Sequence, residues 1–454
     1  MDKTKKIVKA AAFLIALVFL LHLLNCTFTN QDYRIYQTMT SFYDEPDGTL
    51  DAVYIGSSTT YAFWQPNTAW DHYGITVFPL SIPDMPAASL KYMIEEGKKT
   101  QPDALYIINL NSFRNAEPNT NHFHFMTDFM KLSKNKLDMI NELSERAELD
   151  YFDRLEFIFP FIRFHSNWAS LPKDAVSPEP DLLKGGVYYL TYLYYVTDVT
   201  ATYNYSEEFG EIDKEKADIL DDLLTYCEDE DVNVLFILAP QAELGAEGHA
   251  ELNSIARVTE ERGFPTLNLV NSIDEIGLDT ATDFYNAKHT NIHGALKFTE
   301  YLCRYLTEHY DFEDKRGRED FADWDEASVK YRDKVKQYVL DFEFTEPARD
   351  YTLYAPWIPA PTVDGRDITV TWTSCYGAEE FLLYRKQKTG ENGKWTAWEL
   401  LERLDAGTVE YRDAGLEPDT RYTYTVVPIK TVDGVINYGR FNPAGNSADI
   451  KAEG

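Results

Sequence analysis

Three short runs of this 454-residue chain are apolar almost without a break: Ala-Val-Tyr-Ile at 52–55, Ala-Leu-Tyr-Ile-Ile-Asn at 104–109 and Asn-Val-Leu-Phe-Ile-Leu at 233–238. A strand wet on one side alternates polar and apolar residues, so continuous runs predict strands covered on both faces. Helical spacing fills the stretches around them. It appears at 87–99, at 214–228 with Ile219, Leu220, Leu223 and Leu224 on one face, at 247–262 with Gly263 and Pro265 beyond, and at 292–306. A further short strand is expected at 266–269. Strands alternating with helices predict an α/β fold, a mainly parallel sheet between two helical layers, over residues 45–310. Between 115 and 211 the rhythm breaks into aromatic-rich segments such as 157–164 and 188–195. That insertion is expected to cap the carboxyl edge of the sheet, where open α/β sheets place their sites.

Past an amphipathic helix at 324–339, inside a linker at 311–345, the period changes from 3.6 to 2. Short alternating runs at 367–373, 380–387, 398–404, 408–413 and 421–429, separated by turns at regular intervals, predict an all-β sandwich over 346–454.

The N-terminus reads as a targeting element within residues 1–30. Lys3, Lys5, Lys6 and Lys9 precede an apolar stretch at 10–24 interrupted only by His22, the charged and apolar regions of an export signal. Extended by Ile7, Val8 and a snorkelling Lys9, it reaches the length of a membrane span. The expectation is an uncleaved single-pass anchor with the folded domains outside the cell. A cleaved signal and a secreted product is the alternative. Leu23-Leu24-Asn25-Cys26 resembles a lipoprotein box only faintly, because Asn25 stands where a small residue belongs.

Charge narrows the partners. With 43 Lys and Arg against 75 Asp and Glu, the net charge of −32 repels polyanions and excludes nucleic acid. Uncharged or cationic substrates remain compatible. The dense acidic run at 207–231 reads as a solvated helix face and lacks EF-hand spacing. Cys26, Cys227, Cys303 and Cys375 show no CxxC spacing, which rules out a zinc cluster or a dense disulfide framework. Glycine-rich nucleotide loops are absent, so no cofactor is expected.

Two places carry chemistry. Gly56-Ser57-Ser58 directly follows the first strand, where a serine would sit on a tight strand-to-helix turn with following amides available to an oxyanion. Taken alone, the segment reads more readily as an ordinary turn. The second place is Asp283-Phe-Tyr-Asn286-Ala-Lys-His289-Thr-Asn-Ile-His293 before the last helix. A histidine held there by a carboxylate or amide is what a serine needs as general base. His289 and His293 have the spacing of two metal ligands on a helix, but no glutamate lies between them and Gly294 follows. Tyr61, Phe63 and Trp64 would either stack on a sugar or pack in the core.

Together the two blocks resemble the SGNH (GDSL-type) hydrolase superfamily, and the His-Thr-Asn-x-x-Gly-Ala-x-Lys-Phe continuation is similar to its bacterial cell-surface members. The resemblance implies a flavodoxin-like three-layer domain with Ser58 as nucleophile and His289 as base. Where the family has Asp, this chain has Asn286, so orientation of the imidazole falls to that amide or to Asp283. Oxyanion or substrate contacts are implied at Gly56, Ser81 and Asn111, although the family's glycine and Gly-x-Asn-Asp blocks are altered here. Trp372, Tyr384 and Leu416-x-Pro-x-Thr-x-Tyr422 resemble the fibronectin type III domain and its tyrosine corner. The implied activity is that of an extracytoplasmic serine esterase or O-acyltransferase on acylated envelope or extracellular glycans. Its membrane partner would be the N-terminal segment's bilayer, and the sandwich would supply a protein or glycan contact. The alternative is a weak or inactive SGNH-like surface protein that binds a glycan or partner.

Overall fold

The expected strands form with hardly any shift, as β1 (Ala52–Ile55), β3 (Leu105–Asn109), β4 (Val234–Leu238) and β5 (Thr266–Asn268), and a two-residue strand that the sequence pattern did not announce, β2 (Val77–Phe78), joins them. In this computed structural model the described residues are 2–28, 34–114, 120–164, 166, 183–186, 197–203, 206–242, 244–281, 283–340, 348–349, 353, 355–389, 395–396, 398–439, 441 and 445–450. The aromatic run at 188–195 and the linker residues 341–345 lie outside them. Two compact units divide the chain, the first ending at Lys330 and the second continuing from Tyr331.

In the first unit the five strands are all parallel, in the order β2-β1-β3-β4-β5. Every residue of β1, β3 and β4 is buried, the physical reason their sequences do not alternate. Residues 53, 55, 106, 108, 236 and 238 point into one core, which also takes side chains from α5 (Leu90–Lys98), α10 (Lys214–Asp229) and α11 (Gly245–Glu261). The intervening residues face the opposite layer, where Tyr54 meets Trp64 edge-on and α13 (Ile292–His309) packs on α3 (Ser58–Phe63) and α4 (Pro66–Tyr73). The order reverses direction at β1 and β3, so the crevice between their carboxyl ends is the topological switch point, the usual location of a ligand site in such sheets. Lys315 pins the segment after α13 back onto the sheet's entry, bonding Asp51 at 2.7 Å and the Thr49 carbonyl at 2.9 Å.

The insertion supplies α6 (Thr120–Thr127), α7 (Lys134–Arg146), α8 (Tyr151–Ile158) and α9 (Phe161–Phe164). At the N-terminus, α1 (Asp2–Phe28) precedes α2 (Arg34–Asp44). Ile7, Phe13, Ile15, Val18 and Phe19 on α1 are more than 60 % exposed. Among the described residues, no helix is long and apolar enough to cross a membrane. The expected transmembrane helix is therefore not supported among the described residues.

The second unit, entered through the end of α14 (Ala322–Leu340), is antiparallel. One sheet has the order β13 (Glu410–Asp413), β10 (Asp367–Thr371), β9 (Thr362–Asp364). The other is built on β11 (Glu380–Thr389), paired with β12 (Glu399–Asp405) and β14 (Thr420–Val432). Short strands β15 (Val435–Tyr438), β16 (Asn446–Asp449) and β8 (Ala348–Arg349) complete it, and their length left no legible alternation. Trp372 packs edge-on against Phe381 in a core shared with Tyr422 and Leu416. The Tyr422 hydroxyl accepts the Glu417 amide at 3.1 Å, the bond that defines a tyrosine corner. The whole is an α/β unit with a parallel sheet plus a fibronectin type III-like sandwich.

Candidate active site

At the end of β1 the backbone must pass within contact distance of β3. A β-carbon built on Gly56 would fall 2.6 Å from Asn109 Cβ and 2.3 Å from Thr60 Oγ1, so only glycine fits. Gly56 also bridges to Ser81, which tightens the turn into α3. Asn109 Nδ2 donates to Thr60 Oγ1 at 3.1 Å and fixes the first turn of that helix from the neighbouring strand. Ser57 stands at the N-cap position of α3 with its hydroxyl 3.0 Å from Thr59 Oγ1 and makes no side-chain bond to a backbone amide, and Ser58 is the first helical residue. The Ser58 amide has no hydrogen-bond partner among the described residues, as expected at a helix start.

The histidine arrives on a hairpin that is not part of the main sheet. β6 (Phe284–Asn286) and β7 (His289–Thr290) pair antiparallel, with Asn286 opposite His289. Asn286 Oδ1 accepts the backbone amides of Lys288 at 2.8 Å and His289 at 3.0 Å, an Asx-type turn closing the hairpin. The same oxygen lies 3.0 Å from His289 Nδ1, and His289 Nε2 lies 2.8 Å from Ser58 Oγ. Two backbone donors on one atom identify that atom as the amide oxygen, which cannot donate. Nδ1 must then carry the proton, and Nε2 presents its lone pair to the serine hydroxyl. Tyr285 stacks on the imidazole with ring centroids 5.1 Å apart and planes 6° from parallel. Thr290 Oγ1 donates to the Ala62 carbonyl at 2.7 Å and ties the hairpin to α3.

Ser58, His289 and Asn286 are thus brought together in one relay, and Asp283 is used elsewhere. Its buried carboxylate accepts the Asp279 amide at 2.8 Å and pairs with Lys297 of α13 at 2.6 Å, while its carbonyl accepts the Asn291 amide. It braces the hairpin's entry against α13. Ser81 donates its amide to the Pro79 carbonyl at 2.9 Å. The Asn111 amide pairs both ways with the Ala239 backbone, at 3.1 and 2.8 Å, joining the ends of β3 and β4 and leaving one Nδ2 hydrogen over. Tyr61, Phe63 and Trp64 are buried, and Phe63 meets Phe298 and Phe284 edge-on. They fill the core and offer no face to a sugar. The His293 side chain lies outside the described residues. Among the described residues no group of three or more His, Cys, Asp or Glu side chains is placed to hold a metal ion. Asn109, Thr290 and Tyr285 escaped the sequence reading, since their roles depend on contacts across strands with no local signature.

No family model matches the chain, and no curated protein matches it. Among solved structures the chain is similar to a two-domain esterase (CEX) active on acetylated mannans, at 11% identity over 92% of this chain and 95% of that one, with a TM-score of 0.26. The fn3 domain of human collagen alpha-1(XX) chain matches at 20% identity over 24% of this chain and 96% of that one, TM-score 0.18. An Fn3-like protein from Clostridium thermocellum matches at 21% identity over 20% and 88%, TM-score 0.15.

Proposed function

We propose that this protein is an SGNH-type serine hydrolase or acyltransferase acting on ester bonds of O-acylated glycans outside the cytoplasm, tethered through α1. The observation that carries the reading is the unbroken relay Ser58 Oγ, His289 Nε2, His289 Nδ1, Asn286 Oδ1 at 2.8 and 3.0 Å. Nε2 removes the Ser58 proton as Oγ attacks the ester carbonyl. The Ser58 amide, aided by the remaining Asn111 Nδ2 hydrogen, donates to the developing oxyanion. The imidazolium returns its proton to the departing sugar oxygen, and the acyl-serine is resolved by water or by a second hydroxyl. Asn286 sets the tautomer but supplies no negative charge, so the imidazolium costs more to form than beside a carboxylate.

The acidic surface supports an uncharged acceptor over a polyanion. Exposed apolar side chains along α1, preceded by four lysines, support the tether. A fluorophosphonate probe and an acetyl ester test the chemistry. Wild type is expected to label and to release acetate, and Ser58→Ala to do neither. Absence of labelling in wild type, or equal labelling of both, overturns the reading and favours a binding role.

A further inference from the structure

We infer that Tyr285 is a positioning residue whose ring face stabilises the protonated imidazole of His289, replacing part of the charge that a carboxylate would give; this rests on the serine-relay reading above. With Asn286 neutral, the relay has no anion where one would offset the imidazolium. The Tyr285 ring lies parallel to the imidazole, 5.1 Å between centroids and 6° between planes. An aromatic face carries negative quadrupole density and attracts a cation placed over it. The stack therefore grows stronger at the moment the proton leaves Ser58. It also blocks rotation of the ring about its own axis, while Asn286 holds its edge. The backbone keeps Tyr285 in place independently of its side chain, through the Thr197 hydroxyl bonded to the Tyr285 carbonyl at 2.7 Å and the Thr197 amide bonded to the Phe284 carbonyl. Among the described residues the charged groups include Asp283 paired with Lys297, Lys288 in the hairpin turn, and Arg114 bonded to Gln241, and Tyr285 variants are expected to leave these in place.

The signature is a pair of opposite changes. Replacing the ring face with an aliphatic chain in Tyr285→Leu lowers kcat by about threefold to thirtyfold with KM little altered, because a cation–π contact of this type is lost from the transition state. The acid limb of the pH–rate profile moves to lower pH, because the imidazolium has lost its partner and gives up its proton more readily. Tyr285→Phe keeps both quantities near wild type, and Tyr285→Trp, with the strongest ring face, moves the limb to higher pH. The His289 ring is titrated by NMR in the full-length Ser58→Ala protein, its signal identified by loss in His289→Gln. That midpoint is expected to follow the same order of Leu, Phe and Trp without any turnover. Unchanged midpoints across the series, or a loss in Tyr285→Phe equal to that in Tyr285→Leu, overturn the inference. Should wild type fail to label with fluorophosphonate while the midpoints still follow that order, the serine reading falls and the pairing of ring and cation stands.

Discussion

The two halves of the relay are held by different kinds of force. Ser58 stands at the end of a strand buried on both faces, and its position follows from backbone packing: Gly56 passes so close to Asn109 that no side chain fits between. His289 rides on a seven-residue hairpin outside the main sheet, and polar side chains hold it there: Asn286 closes the turn, Thr290 bonds Ala62, Asp283 braces the entry. Damage to the first half is a problem of folding. In the second half it is a problem of local order, and activity registers it before stability does.

The sharpest way to break this contrast is Asn286→Ala, which strips the acceptor from Nδ1 and from two backbone amides at once. Turnover is expected to fall about 10²- to 10⁴-fold, while chemical denaturation shows a loss of only about 1–3 kcal/mol. Asn286→Asp runs the other way. By adding a charge beside the imidazolium it raises turnover about tenfold or more in the same ester assay. A second test targets the serine half. Gly56→Ala forces a β-carbon against Asn109 and is expected to destabilise the first unit by about 3 kcal/mol, seen as a lowered melting temperature with activity lost only as folding is lost. The smallest effect belongs to the join between the halves. Thr290→Val leaves the Ala62 carbonyl without its donor and costs about 1 kcal/mol. Cys303 of α13, buried and with its thiol pushed well above its ordinary value by burial, is expected to resist alkylation in the native protein and to react faster in Thr290→Val. Equal alkylation rates in the two proteins would show that loosening the hairpin from α3 does not open the packing around α13.

The same division explains what could be read from the amino acids alone. β1, β3 and β4 were legible because two-sided burial writes itself as a continuous apolar run. The tyrosine corner was legible because its hydrogen bond spans a fixed five-residue interval. Ser58 and His289 stood out through short motifs. The β6–β7 hairpin did not, since strands of three and two residues have no room for a period. Asp283 was offered to the imidazole on sequence proximity and is occupied by Lys297, a partner one helical stretch further on that local spacing could not reveal. Asn286 was read as a deficit of charge; the two amides that orient its oxygen became visible only once the turn was built. Tyr61, Phe63 and Trp64 were ambiguous between surface and interior because helical spacing is the same for either, and burial decides it, with Phe63 against α13 and Trp64 against Tyr54 of β1.

The relay joins positions 231 residues apart in the chain. A polypeptide emerging from synthesis thus presents its serine long before the hairpin that meets it exists. On the proposed reading, the serine stays without its base until the hairpin has formed. The contact closes only when the two distant ends of the α/β segment have come together.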